Sequence, residues 1–596
     1  MHQLIQSSED EHGFLCPQSI KHNGRTFLPE FFSRQWGFPT CLAISFLPVL
    51  FICIFATPAF YTVDDVIQAM YPEGGHYGQT SYLMLYTLAP ISVPLGLLGR
   101  IFPNLPVFAL CQLFFIVVST TFMVRLVSGA TNRPLIKFFY VTLLIACESF
   151  LTTYLTYTAV AFALTASGLS LLVTNAINRH IPHATKQDVA GFILIFLGTC
   201  LRPESGFSTF ILFTPFMLWV LVRNRHIPST IRGVVACVSA GLAYAIGMAV
   251  YFVTPGWQQL PWALKVGRAV IDTPHVDTSK IQEVSPNLSE NDVFMLYDWW
   301  FGDSSVFSPD VFQKVSTVVK TYSLSNIPLN GKRSLLLAGV AVILLCCLSW
   351  LLTHNIRHMD RSITALQIGI ILCFIATLLI LALRNRMVDR VIFPLVVTSI
   401  YALLAASCGY DTAIAVTQQR NISTRQVSKV ITVSISIICI IFAFIIPANR
   451  YENIRVNANW TSITHDRIQE YTSSHHNQVF ILGTGTCDES YVQNHNIFET
   501  FKSCQYQTNE ILRGGWRIFT DPDDYIFNQK NLDKSHRYGN LINRSDVRLI
   551  ADEETAYRML TFLREHYDSQ VIMTNESTFN DSNFSVYRYD RISNAQ

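Results

Sequence analysis

The sequence predicts an α-helical polytopic membrane protein of about eleven transmembrane helices, followed by a C-terminal extracytoplasmic α/β domain. Three observations carry this. Of the 596 residues, 50% are hydrophobic and only 14% are charged, and the mean hydropathy is +0.31. Several apolar runs reach the roughly 20 residues needed to cross a hydrocarbon core of ~30 Å. From residue 448 onward the apolar runs shorten to strand length, with one helical stretch among them.

Residues 1–39 are polar, mixed in charge and without the compact apolar core and cleavage site of a secretory signal, so they are expected to form a cytoplasmic tail. Spans are expected near 40–60, 106–124, 138–156, 158–177, 189–201, 206–222, 233–254, 334–352, 362–383, 391–410 and 429–447. The stretch 82–98 is interrupted by Pro90 and Pro94 and is read as a re-entrant or interfacial segment that does not cross. Lys and Arg collect at 125–137, 178–186, 223–232, 354–361 and 418–429, and the positive-inside rule makes these loops cytoplasmic. The transmembrane core then covers 40–447 with outer loops at 61–105 and 255–333, and the extracytoplasmic domain covers 448–596.

A net charge of +2 gives no basic face for nucleic acid. Most of the 14 cysteines lie in or beside apolar runs, where a thiol acts as a small hydrophobe. Cys487 and Cys504 lie in the polar tail and can pair if that region is exported. No Cys or His spacing suggests zinc.

The first outer loop begins YTVDDVIQAMYPEGG (61–75), with Asp64 and Asp65 adjacent at the membrane boundary. Ionisable groups there are costly unless they face water or protein, which makes them functional candidates. One reading has either carboxylate acting as a general base. The other has both capping the following helix, in which case Asn would substitute with little loss. Two further outer turns carry arginine: LRPES (201–205) with Arg202 and Glu204, and RNRMVDR (384–390) with Arg384, Arg386 and Arg390. Guanidinium groups bind phosphate in a bidentate way, whereas ordinary snorkelling to headgroups is the plainer explanation. Glu204 is read as a partner that orients Arg202.

Glu73 and His76, in YPEGGHYGQT, lie near the acidic pair and are candidates for acceptor contact, with a simple turn as the alternative. The spacing defines no metal site, although Asp64, Asp65, Glu73 and His76 are the groups that would take a divalent cation if one were needed. In the second outer loop, Trp299 and Trp300 are placed either to stack on sugar rings or to form an interfacial aromatic belt. Short helices covering the cavity are expected there. The tail offers strands at 478–486, 546–550, 569–575 and 584–590 and a helix at 553–568. Its ILGTGT turn matches no nucleotide-binding pattern.

An acidic pair after the first span, an RPE turn between two short spans, and an arginine-bearing outer loop entering a span as RVIFPLVVTSIYALL together resemble the GT-C superfamily of membrane glycosyltransferases. The resemblance implies a sugar donor linked to polyprenyl phosphate at the outer leaflet. It places the base at Asp64, with Asp65 as alternate or partner, and donor-phosphate contacts at Arg202, Arg384, Arg386 and Arg390. No WWDYG signature of oligosaccharyltransferases and no pattern of protein mannosyltransferases is present, so the implied acceptor is a glycan, a lipid or a cell-envelope polymer. A single base without a second carboxylate nucleophile suits one-step inversion. The alternative is a transporter or flippase of lipid-linked glycans or other anions, which internal repeats or charges at mid-span would favour.

Overall fold

The computed structural model describes residues 27–56, 58–177, 183–220, 222, 227–271, 278–318, 329–354, 361–383, 387–415, 426–483, 486, 496–501, 506–579 and 582–592. Arg384, Arg386, Cys487 and Cys504 lie outside them.

After a short α1 (Phe27–Ser33), the chain builds α2 (Phe38–Phe55), α3 (Val63–Glu73), α4 (Ala89–Ile101), α5 (Val107–Ala130), α6 (Pro134–Thr153), α7 (Tyr157–Ile177), α8 (Lys186–Leu201), α9 (Pro203–Trp219) and α10 (Ile227–Val253). The segment between α10 and the next long helix carries five short helices, α11 (Leu260–Trp262), α12 (Arg268–Ile271), α13 (Thr278–Val284), α14 (Glu290–Tyr297) and α15 (Pro309–Val318). Then follow α16 (Leu329–His354), α17 (Arg361–Leu383), α18 (Asp389–Ala415) and α19 (Gln426–Ser474).

Each of the eleven apolar segments falls on a helix. Among the described residues, eight helices are long and apolar enough to cross a membrane, in α2, α5, α6, α7, α10, α17, α18 and α19. The other three segments lie on α8 and α9, of 16 and 17 residues, and on α16, whose apolar part is Leu336–Leu352. A break at Arg202 separates α8 from α9. Arg202 is extended (φ −153°, ψ 102°) because Pro203 disfavours helical backbone in the residue before it, while Pro itself suits the first turn of the next helix.

The stretch expected not to cross gives α4, whose 13 residues span about 20 Å, too short for the hydrocarbon core. Pro90 lies in its first turn and so starts the helix instead of interrupting it, while Pro94 lies inside. The non-helical part is residues 82–88.

Helix α7 is the hub, buried along nearly its whole length. Polar pairs tie the helices around it. At one end of the bundle, Asp188 accepts from Arg232 at 2.9 and 3.2 Å and from Asn175 at 2.9 Å, joining α8, α10 and α7. Farther along, Gln367 links Ser349 of α16 (3.1 Å) to Ser407 of α18 (3.2 Å). In hydrocarbon such bonds matter because the alternative is an unsatisfied polar group.

The C-terminal part is a five-stranded mixed sheet flanked by helices. Its strands are β3 (Val479–Leu482), β4 (Glu510–Leu512), β5 (Val547–Asp552), β6 (Val571–Thr578) and β7 (Phe584–Arg591); β1 (Ala59–Phe60) and β2 (Tyr154–Leu155) form a separate parallel pair beside the membrane core. The sheet order is β4-β3-β5-β7-β6, parallel through β4, β3 and β5 and antiparallel at β7 and β6. Its helices are α20 (Asp521–Lys530), α21 (Asn540–Asn543) and α22 (Glu553–His566). Helix α22 buries Ala556, Met559, Leu560 and Leu563, the spacing of one helical face. The division expected at residue 448 falls inside α19, a single helix of 49 residues that runs from its membrane span to the edge of β3.

This domain is pinned to the segment 255–333 by buried polar groups. Arg537 is fully buried and donates to Asp523 (2.6 Å), to the Leu512 carbonyl (2.7 Å) and to the Gly302 carbonyl (3.2 Å). Asp303 accepts from the Tyr538 amide (3.0 Å) and the Tyr567 hydroxyl (2.7 Å). Asp292 of α14 meets His566 of α22 at 2.9 Å.

Candidate active site

Helix α3 sets the geometry. Thr62 is extended and begins a capping box with Asp65, and Gly74 ends the helix in left-handed backbone (φ 79°). The Asp65 carboxylate is fully buried. Its Oδ2 accepts from the Thr62 amide (3.1 Å) and hydroxyl (2.7 Å), and its Oδ1 accepts from the Tyr157 amide (2.8 Å). Burial pushes its carboxyl up to about 7, against the opposing hydrogen bonds from Thr62 and Tyr157. Asp65 therefore caps α3 and fastens it to the α6–α7 turn, which β1 and β2 also hold by parallel pairing.

One residue earlier, Asp64 turns the other way. It lines a cavity of about 280 Å³ with Val63 and Ile67 of α3, Leu85 and Tyr86, Arg202, Arg268, Trp299, Arg390 and the loop Arg513–Arg517. Arg390, in the first turn of α18, donates to Asp64 Oδ2 at 3.0 Å. Both side chains are partly exposed to the cavity, Arg390 by 40% and Asp64 by 30%, so the pair is open to a ligand.

A second cationic group lines the same cavity. The Arg202 guanidinium lies 4.6 Å from the Tyr86 ring centre and that of Arg268 lies 4.8 Å from the same ring. Glu204 bridges them, accepting from Arg202 at 3.1 Å and from Arg268, and Arg202 also donates to the Tyr157 hydroxyl. The shared carboxylate and the aromatic faces hold two guanidiniums in fixed directions while leaving donors unused.

The remaining wall comes from Trp299 and the turn after β4. Trp299 has left-handed backbone (φ 69°), a strain on the order of 1–3 kcal/mol for a bulky residue. The RGGWR turn packs directly on it. A Cβ at Gly514 would lie 2.2 Å from the Trp299 carbonyl, and Gly515 has φ +79°, so both positions require glycine. Trp516 meets Trp299 edge-on with ring centres 5.6 Å apart.

Asp64, Arg202, Arg390 and Trp299 thus meet in one cavity, with Glu204 behind Arg202. Asp65, Glu73, His76 and Trp300 do not line it. Glu73 sits at the far end of α3, about 12 Å along the helix from Asp65 by helical rise, facing the amides of Phe108 and Phe501 at 3.4 Å. Burial raises its carboxyl to about 8. His76 is buried against Tyr71 and Tyr506, and burial, with Arg517 nearby, holds its imidazole well below its usual range. Trp300 is buried against Tyr538. Asp64, Asp65, Glu73 and His76 therefore do not converge on a cation. Sequence reasoning missed Arg268, Arg513, Arg517, Tyr86 and Trp516. Of these only RGGWR carries a local signal, two arginines bracketing a Gly-Gly turn at a strand end.

No protein-family model matches the chain, and no curated protein matches it. Two solved structures align with most of it: ArnT from Cupriavidus metallidurans bound to undecaprenyl phosphate, and the same protein in the apo state. Each is 12% identical, covers 92% of this chain and 96% of its own, and gives TM-scores of 0.34 and 0.33 respectively. At that level no functional residue is carried across.

Proposed function

We propose that the chain is a GT-C-type integral-membrane glycosyltransferase, which moves a sugar from a polyprenyl-phosphate-linked donor to a glycan, lipid or cell-envelope acceptor at the outer face of the membrane. The N-terminus is then cytoplasmic and the C-terminal domain extracytoplasmic. One observation carries the reading: a cavity beside the ends of membrane helices is lined by a solvent-accessible carboxylate, Asp64, together with the guanidiniums of Arg202 and Arg268.

In this mechanism the acceptor hydroxyl oxygen attacks the anomeric carbon and forms the new C–O bond. The bond from that carbon to the phosphate oxygen breaks, and its electron pair leaves with polyprenyl phosphate. Asp64 takes the hydroxyl proton. Arg202 and Arg268 hold the phosphate as its charge develops. Arg390 uses one N–H to fix Asp64 and has others free to turn towards the phosphate, so it is both a positioning residue and a donor contact. A direct displacement inverts the anomeric centre.

The donor site is tested by titrating protein in nanodiscs with decaprenyl phosphate. Arg202→Ala and Arg268→Ala are each expected to weaken binding roughly 10- to 100-fold, the scale of a charge-assisted hydrogen bond. Unchanged affinity in both variants would remove the donor site from this cavity.

A further inference from the structure

Charged groups carry the proposed reaction, and the aromatic wall of the cavity has no task in it. Trp299 and Trp516 line the cavity beside the guanidiniums. Trp299 is half-buried, so part of its indole stays open to the cavity, while Trp516 is only 4% exposed and backs it edge-on.

The wall begins where the paired arginines end. A π-helical turn, Ala263–Gly267, leads into Arg268, and the Trp516 ring packs on the bare backbone of Gly267, where a Cβ would lie 2.3 Å from Trp516 Cζ3 and 2.4 Å from Cη2. Trp516 is thereby fixed one residue from the guanidinium that shares Glu204 with Arg202. Trp299 continues the wall, its ring centre 5.6 Å from that of Trp516. Its left-handed backbone is unfavourable for a bulky residue, yet it is held from both sides. The Trp300 amide donates to the Met295 carbonyl at 2.8 Å, and the Gly514 backbone packs on the Trp299 carbonyl. Strain over-determined in this way is characteristic of a functional side chain.

We propose that Trp299, backed by Trp516, is the binding wall for the sugar of the lipid-linked donor. The inference rests on the glycosyltransferase reading and deepens it, since it takes the donor phosphate to sit at Arg202 and Arg268. The anomeric carbon is bonded to that phosphate, so the sugar ring lies directly beside the two arginines, where the indoles stand. An acceptor sugar has no such tether. A ring sugar presents a face of C–H groups, which the negative face of an indole attracts while its area displaces water. The ligand that fits is a ring sugar with an unsubstituted C–H face, carried on the lipid phosphate.

The test titrates full-length protein in nanodiscs with decaprenyl phosphate and with its mannosyl, glucosyl and arabinosyl esters. Wild type is expected to bind at least one ester more tightly than the bare lipid. Trp299→Ala should weaken binding of that ester roughly tenfold while leaving decaprenyl phosphate affinity within about twofold, and Trp299→Phe, which keeps an aromatic face, should recover most of the loss. Trp299→Gly controls for folding. It removes the indole and also the strain of left-handed backbone, so it should unfold at a higher temperature than Trp299→Ala yet bind the ester no better. Equal losses for ester and bare lipid in Trp299→Ala would overturn the proposal by giving Trp299 a purely structural role. Ester affinity that no Trp299 variant changes, or esters that bind no more tightly than the bare lipid, would also overturn it and leave the donor reading standing. If wild type binds none of the four lipids, the donor reading fails and the sugar wall fails with it.

Discussion

Asp64→Asn should lower single-turnover sugar transfer by about 10²- to 10⁴-fold, the range a positioned general base contributes, while donor affinity changes little. Asn still offers an oxygen to the Arg390 N–H, which now meets Asp64 at 3.0 Å. The substitution therefore removes the proton acceptor and preserves the local shape. Its neighbour gives the contrast. Asp65 uses both carboxylate oxygens structurally, and Asn there would turn an NH2 towards either the Thr62 groups or the Tyr157 amide. Transfer at the wild-type rate by Asp64→Asn would show that another group takes the proton.

Arg537→Leu should destabilise the protein by about 3–5 kcal/mol, the cost of leaving one member of a buried ion pair uncompensated. Asp523 is fully buried with it, and Lys534, 3.0 Å from the same Asp523 oxygen, is partly exposed and so replaces little of what is lost. Against a typical total of roughly 5–15 kcal/mol this is a large fraction. The consequence reaches the cavity, because Arg537 also holds the carbonyls of Leu512 and Gly302, which flank the RGGWR turn and the Trp299 segment. Thermal unfolding in detergent measures the effect. The double variant Arg537→Leu/Asp523→Leu should lose less than the sum of the two single variants, and full additivity would contradict the pairing.

Much of the scaffold was legible because it follows from local rules. Hydropathy located the eleven helical segments, and Pro203 explains by itself why the chain breaks at Arg202. The division of labour between the two aspartates was also present in the sequence: Thr62-x-x-Asp65 is a capping box, which assigns the cap to Asp65 and leaves Asp64 for the cavity. Strand β4 escaped because it has three residues and no alternating pattern. The cavity itself could not be read. Arg268, Arg390 and Arg513 lie more than a hundred residues from one another, and only tertiary packing brings them around Asp64. Glu73 and His76 misled for the converse reason: they are close to Asp64 in sequence, but the helical rise and the left-handed turn at Gly74 carry them into the interface with the C-terminal domain.

The most direct measurement incubates purified protein in vesicles with a radiolabelled polyprenyl-phosphate sugar and a panel of glycan, lipid and cell-envelope acceptors, and determines the anomeric configuration of the product. The account predicts Asp64-dependent transfer, release of polyprenyl phosphate and an inverted anomeric centre. Movement of intact labelled lipid between leaflets with no sugar transferred would contradict it and identify a flippase.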